Sequence, residues 1–134
     1  MLKTTFPYRV IYGDTDQMGV MYYGNYARLY ELGRTEMVRE IGLPYSELEH
    51  SGVVMPVVSV DARYLRSAFY DDMLTIETTL KELPTARMNF HHRIFNSEGE
   101  LIHTAVVTLV FLNMDTKKPS RPPEKLLDKL SAYF

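Results

Sequence analysis

Cysteine is absent from the 134 residues, which excludes disulfides, thiolate metal sites and a cysteine nucleophile. No apolar run approaches the roughly 20 residues that span a bilayer. The first residues, MLKTTFPYRV, lack the apolar core and small-residue cleavage site of a signal peptide. These absences set a cytoplasmic protein as the expectation. An excess of positive charge is missing too. A net charge of −2 argues against nonspecific nucleic-acid binding, though it leaves room for a small basic patch on one phosphorylated ligand. No Gly-x-Ser-x-Gly occurs, so a serine-hydrolase elbow has no support. Neither a metal nor a bound cofactor is expected: His91 and His92 are adjacent on a predicted strand and face opposite sides, and His50 and His103 lie far off in sequence.

What is present is the composition of one globular domain over residues 1–134, with 46% hydrophobic and 24% charged residues. Pro7 to Tyr12 reads as a short strand stopped by Gly13-Asp14. From about Tyr22 to Ile41 the apolar residues recur at helical spacing (Tyr22, Tyr26, Leu29, Tyr30, Gly33, Met37, Ile41). Gly33 lies within that stripe, where a missing side chain lets another backbone come close. Gly42 supplies the stop, and Pro44 to His50 is a short helix or turn. After Gly52 the period becomes two. Strands are expected around Val58–Tyr64, Leu74–Lys81, Arg87–Phe95 and Leu101–Leu112. The last is apolar on both faces and so is expected to be covered on each side. Pro122-Pro123 opens a short helix with Leu126, Leu127 and Leu130 on one side. A strand, a long helix and four tightly linked strands imply an α+β fold, with the helix packed on one face of an antiparallel sheet.

The stretch YGDTDQMGVMYYGNY, residues 12–26, precedes the long helix. Asp14, Thr15 and Asp16 are ordinary turn and cap residues, but they come early for a simple cap. Between Asp16 and the helical stripe lies the largely apolar Gln17 to Met21. A loop of that composition is expected to border a nonpolar cavity, and a carboxylate there is partly desolvated and more basic. The first N–H groups of the following helix lack internal partners and carry the positive end of its dipole. A carboxylate beside such donors is the minimum set for acyl transfer to water.

The run from Tyr12 to Tyr26 resembles the signature of the 4-hydroxybenzoyl-CoA thioesterase family of the hotdog fold, which includes small bacterial thioesterases associated with the Tol–Pal envelope system. The resemblance continues through Glu31, Arg34, Gly42-Leu43-Pro44, Pro56 to Ser59 and Tyr70 to Leu74. It implies a long central helix wrapped by a curved antiparallel sheet of about five strands. It also implies homodimers, or dimers of dimers, joined sheet edge to sheet edge with active sites at the interface. The implied substrate is an acyl-CoA, with an acyl carrier-protein thioester as the variant. By residue matching, Asp16 is the catalytic acid, as nucleophile or as general base, and the backbone N–H of Tyr23 is the main oxyanion donor. Val58 and Ser59 fall where the family's strand nears the acyl group, and Tyr22 supplies apolar wall. Two departures stand out. Gly24 occupies a position where proline is common, and the turn Leu83 to Arg87 lacks the basic cluster some members offer the CoA nucleotide. Arg63, Arg66 and Arg87 are the local substitutes.

Glu31 is the helix glutamate that another hotdog branch uses as its base; here it falls off the apolar stripe and is expected to pair with Arg34. Two rival readings are a noncatalytic acyl-thioester sensor and an enoyl-CoA hydratase. The sensor can dispense with the acid, and the hydratase wants a paired Asp and His near the helix, a region of the sequence that holds no histidine.

Overall fold

The computed structural model describes residues 1–134. In chain order its elements are β1 (Leu2–Arg9), α1 (Tyr26–Glu40), α2 (Tyr45–Glu49), β2 (Val53–Val54), β3 (Val57–Tyr64), β4 (Met73–Leu80), β5 (Arg87–Phe95), β6 (Leu101–Val110), β7 (Leu112–Asn113) and α3 (Glu124–Ser131). Two 3₁₀ turns, Tyr12–Asp14 and Tyr23–Asn25, lie between β1 and α1. The main sheet is antiparallel, in the order β1-β4-β5-β6-β3; β2 and β7 form a separate two-stranded pair. This is the expected five-strand sheet with one long helix.

Alternation decides which face is buried. Leu74, Ile76, Thr78 and Leu80 of β4, and Met88, Phe90, His92 and Ile94 of β5, point under α1 and are buried. The first strand starts earlier than predicted. Leu2, Thr4, Phe6 and Tyr8 continue the same face in register with Leu80, Thr78, Ile76 and Leu74, so the chain leaves the sheet at Val10 instead of entering it at Pro7. On β6, Ala105, Val107 and Leu109 are buried beneath the helix side, but the opposite face is only partly covered, with Thr108 buried and Thr104 and Val106 half-buried. There Thr104 and Val106 border a groove of about 490 Å³ with charged residues of β1, β3, β4 and β5. The expected double cover is therefore complete on one side only of this chain.

Helix α1 buries Tyr26, Leu29, Tyr30, Gly33, Met37 and Val38. Each fully buried large side chain contributes about 1.5–3 kcal/mol, far more than any terminal cap on this helix. The helix ends where predicted: Gly42 has φ +88 and the Leu43 N–H reaches back to the Val38 carbonyl at 2.9 Å. At mid-helix Gly33 lies against the sheet. A Cβ there would overlap Thr78 Oγ1 and stand 3.1 Å from Ile76 Cγ2. Thr78 cannot move aside freely, because it is buried and its hydroxyl is hydrogen-bonded to His92 Nδ1 at 3.1 Å.

Gly33→Ala is therefore expected to destabilise the protein by up to about 2 kcal/mol, an overpacking cost of about 1–3 kcal/mol outweighing a helix-propensity gain of about 1 kcal/mol. Urea-unfolding midpoints check it; an alanine variant as stable as the parent contradicts the close contact.

Candidate active site

The chain from Val10 to Asn25 is a loop built on one carboxylate. Asp14 is 1% exposed. Its Oδ2 accepts from the Tyr8 hydroxyl at 2.7 Å and the Ile11 N–H at 3.0 Å, and its Oδ1 lies 3.2 Å from Arg28 Nη1 on α1. Burial, then the hydrogen bond to Asp14, raises the Tyr8 pKa and keeps that hydroxyl a donor. Beyond this anchor the loop turns tightly. The Asp16 N–H donates to the Val20 carbonyl and the Gly19 N–H to the Asp16 carbonyl, with Gly19 at φ +78. The Met21 N–H donates to the Ala68 carbonyl at 2.8 Å, which ties the loop to the segment after β3.

Asp16 is half-buried. Its Oδ1 accepts from the Met18 N–H at 2.8 Å, which orients the carboxylate and leaves Oδ2 free to act. It lines a groove of about 350 Å³ with Met18, Val20 and Met21 of its own loop, Tyr23 and Tyr26 at the helix start, and residues 64–67. The apolar border expected of this loop is present in Val20 and Met21. Gln17 is exposed and off the groove, whereas Met18, on its lining, is 82% exposed at the loop tip.

Across the groove, the Tyr22 N–H donates to the Asp14 carbonyl and the Asn25 N–H to the Tyr22 carbonyl. The intervening Tyr23 and Gly24 N–H groups have no acceptor within the chain, as the opening of a helix requires. The Tyr22 ring folds over Gly24, where an added Cβ would stand 2.6 Å from Cε2. A side chain at that position would need the ring, which is 43% exposed, to swing aside. The same ring tilts against Tyr23 at 4.6 Å. The Tyr23 hydroxyl, by hydrogen bonding, raises the Tyr22 pKa.

The other expected site residues are more scattered. Arg66 lines the Asp16 groove and lies 3.4 Å from Glu100. Val58 and Ser59 are exposed on the free edge strand β3, beside a register shift between Val57 and Ser59. Arg63 points to the outer face of the sheet and pairs with Asp61 at 2.5 Å. Arg87 is exposed at the start of β5. The expected Glu31–Arg34 pair does not form; the ion pair on this helix is Arg39–Glu36, and Glu31 is exposed.

Behind the groove stands a cluster that pattern reading passes over. Tyr26 stacks on His103 at 4.2 Å, Tyr64 meets both Tyr26 and His103 edge-on, and Tyr30 stacks on His92 at 5.2 Å. Burial pushes the Tyr26 hydroxyl up to about 12 and raises that of Tyr30. The Tyr30 hydroxyl and His103 Nε2 share a hydrogen bond at 2.5 Å. The other ring nitrogen of His103, Nδ1, is buried without a partner. Burial holds His103 down at about 4; burial, and then the Arg34 charge, holds His92 at about 3. A signal for His92 exists in its inward phase with Phe90 and Ile94. Nothing local marks the pairing of Tyr30 with His103, 73 residues apart.

A family model described as the thioesterase-like superfamily matches residues 10–130. The acyl-CoA thioester hydrolase YbgC of Escherichia coli O6:H1 is 34% identical over 122 residues, 91% of each chain. A crystal structure of the DHNA-CoA thioesterase from Staphylococcus aureus superposes with a TM-score of 0.91 at 32% identity, covering 99% of this chain and 89% of that one. An aspartate-to-asparagine mutant of a 4-hydroxybenzoyl-CoA thioesterase, complexed with 4-hydroxybenzoyl-CoA, superposes with a TM-score of 0.84 at 27% identity, covering 95% of this chain and 97% of that one.

The two imidazoles make stability depend on pH. Unfolded, they titrate near 6.5; folded, they stay neutral down to about 4 and about 3. Their contribution is complete above pH 6.5 and is lost as pH falls from there toward 4, by at most about 1.4 kcal/mol per pH unit for each histidine. Unfolding midpoints at pH 7, 6 and 5 are expected to decline in that order, and a flat series contradicts neutral buried rings.

Proposed function

The chain belongs to the thioesterase-like superfamily, and we propose on that premise that it hydrolyses an acyl-CoA thioester in the groove beside Asp16. The observation that carries this reading is the pairing, across one groove, of a carboxylate with a free oxygen and a helix start with free amides. The thioester carbonyl enters between them. Its oxygen takes the Tyr23 N–H, with the Gly24 N–H alongside, and each well-placed donor contributes about 3–4 kcal/mol as the oxyanion develops. Asp16 Oδ2 either attacks the carbonyl carbon, giving an acyl–aspartyl anhydride that water cleaves, or takes a proton from an attacking water. The C–S bond breaks in both routes: CoA leaves as the thiolate in the anhydride route and is protonated by water, whereas in the general-base route Asp16 returns the proton it took from water to the leaving sulfur. Tyr26, Tyr64 and Leu65 supply apolar wall for the acyl group. Arg66 is the groove's cation for the CoA phosphates.

A hydratase reading finds no histidine on the groove lining; His103 is buried behind it, engaged by Tyr30. A sensor reading leaves the free oxygen of Asp16 unexplained.

The groove is open-sided in one chain, and β3 is a free edge carrying Val57, Val58 and Val60 at 44–50% exposure. A strand edge of that character pairs with another. Two copies joined along β3 form a continuous sheet and bring Val58 and Ser59 of each toward the other's groove. A dimer of dimers adds a second contact to this unit.

Asp16→Asn, which keeps shape and removes charge, is expected to lower hydrolysis by about 100-fold or more. Thiol release from short, medium and aromatic acyl-CoAs measures it, and an unchanged rate removes Asp16 from the chemistry. Val58→Lys with Val60→Lys is expected to convert a dimer to monomer in sedimentation velocity. A parent chain that sediments as monomer at micromolar concentration contradicts edge pairing.

A further inference from the structure

Asp14 does not line the groove, yet the groove's two chemical halves meet in it. Its side chain is held by the frame: Tyr8 on β1, Arg28 on α1 and the Ile11 N–H. Its carbonyl oxygen accepts two further hydrogen bonds, from the Tyr22 N–H at 2.8 Å and from Asn25 Nδ2 at 2.8 Å. The Asn25 N–H closes the ring onto the Tyr22 carbonyl at 2.9 Å. Tyr23 and Gly24, the bearers of the free amides, are thus enclosed in a turn tied at both ends to one carbonyl. Asp16 stands two residues from that carbonyl in a loop closed by its own hydrogen bonds.

Resting on the thioesterase reading, we propose that Asp14 is the positioning residue of this site and that Asn25 is the side chain through which it acts. Together they set the spacing between the Asp16 carboxylate and the Tyr23 amide. Neither touches the reacting atoms. The position of Asn25 calls for a neutral donor. An aspartate there would turn an acceptor toward the Asp14 carbonyl, and a hydrophobic residue would leave one end of the turn untied.

The test is Asn25→Ala, with Asp14→Asn and Asn25→Asp beside it. A displacement of about 1 Å in a reacting geometry costs about 100-fold, so kcat is expected to fall about 10- to 100-fold in Asn25→Ala while KM stays within about threefold. Asn25→Asp is expected to lose more than alanine. Amide hydrogen exchange supplies a readout independent of turnover: rates at Tyr22 and at residue 25, whose N–H groups donate to the Asp14 and Tyr22 carbonyls, rise in Asn25→Ala while those in β5 do not. A kcat within about twofold of the parent with unchanged exchange at residues 22 and 25 overturns the proposal. So does a kcat loss matched by a general fall in protection across the sheet, which marks a merely structural role and covers an Asp14→Asn variant that folds poorly. If the parent chain turns over no acyl-CoA, the thioesterase reading fails by itself, and the exchange rates still decide whether the clamp exists.

Discussion

Helix α1 can approach the sheet only because residue 33 has no side chain. The Thr78 hydroxyl and the Ile76 methyl occupy the space a Cβ would need. That contact fixes the height and rotation of the helix, and a rigid helix carries the setting to both ends. Two turns before Gly33, the helix start is delivered beside the end of β3, where the Tyr64 hydroxyl donates to the Tyr23 carbonyl at 3.3 Å. The free amides at Tyr23 and Gly24 are aimed by packing at mid-helix as much as by anything in their own turn.

The second constraint is polar. Two histidines, several tyrosines and a carboxylate are placed where water is excluded, and each needs a partner or a neutral form. Asp14 has three donors and stays a working anchor. His92 and His103 take the other course and remain uncharged, held by Thr78 and Tyr30, with one nitrogen on each ring left bare. An unpaired buried polar atom costs about 1–3 kcal/mol. The stacked tyrosines offset part of that cost and also make a stiff wall behind the groove, Tyr26 and Tyr64 facing the cavity and His103 behind them.

A third feature concerns what one chain leaves open. The sheet ends in an apolar strand with unused backbone groups, and the groove beside Asp16 has an unfilled side. Both are met by the same event if a second copy adds along β3. A register shift between Val57 and Ser59 interrupts the ladder on that edge. Arg66 lies beyond the end of β3 on the groove, whereas Arg63, within the strand, faces the side opposite its neighbour Tyr64, which lines the groove.

Much is legible in the order of residues because local physics wrote it there. Period two across Met88–Ile94 and period 3.6 across Tyr26–Met37 name the elements and their buried faces, and Gly42 must end a helix when its φ is positive. The loop of residues 12–26 declares itself by carboxylates set against an apolar run and by a family signature. What the linear order does not carry is partnership at a distance. Glu31 and Arg34 have ideal spacing and do not pair, whereas Tyr30 and His103 meet across 73 residues. The start of β1 escapes local reading because its face is defined by β4, not by itself. Which arginine reaches the groove, which aspartate is clamped and which is free, and where two amides point are decided only when helix, sheet and loop are packed together. A side chain's type sets what it can do, but its partners come from folding.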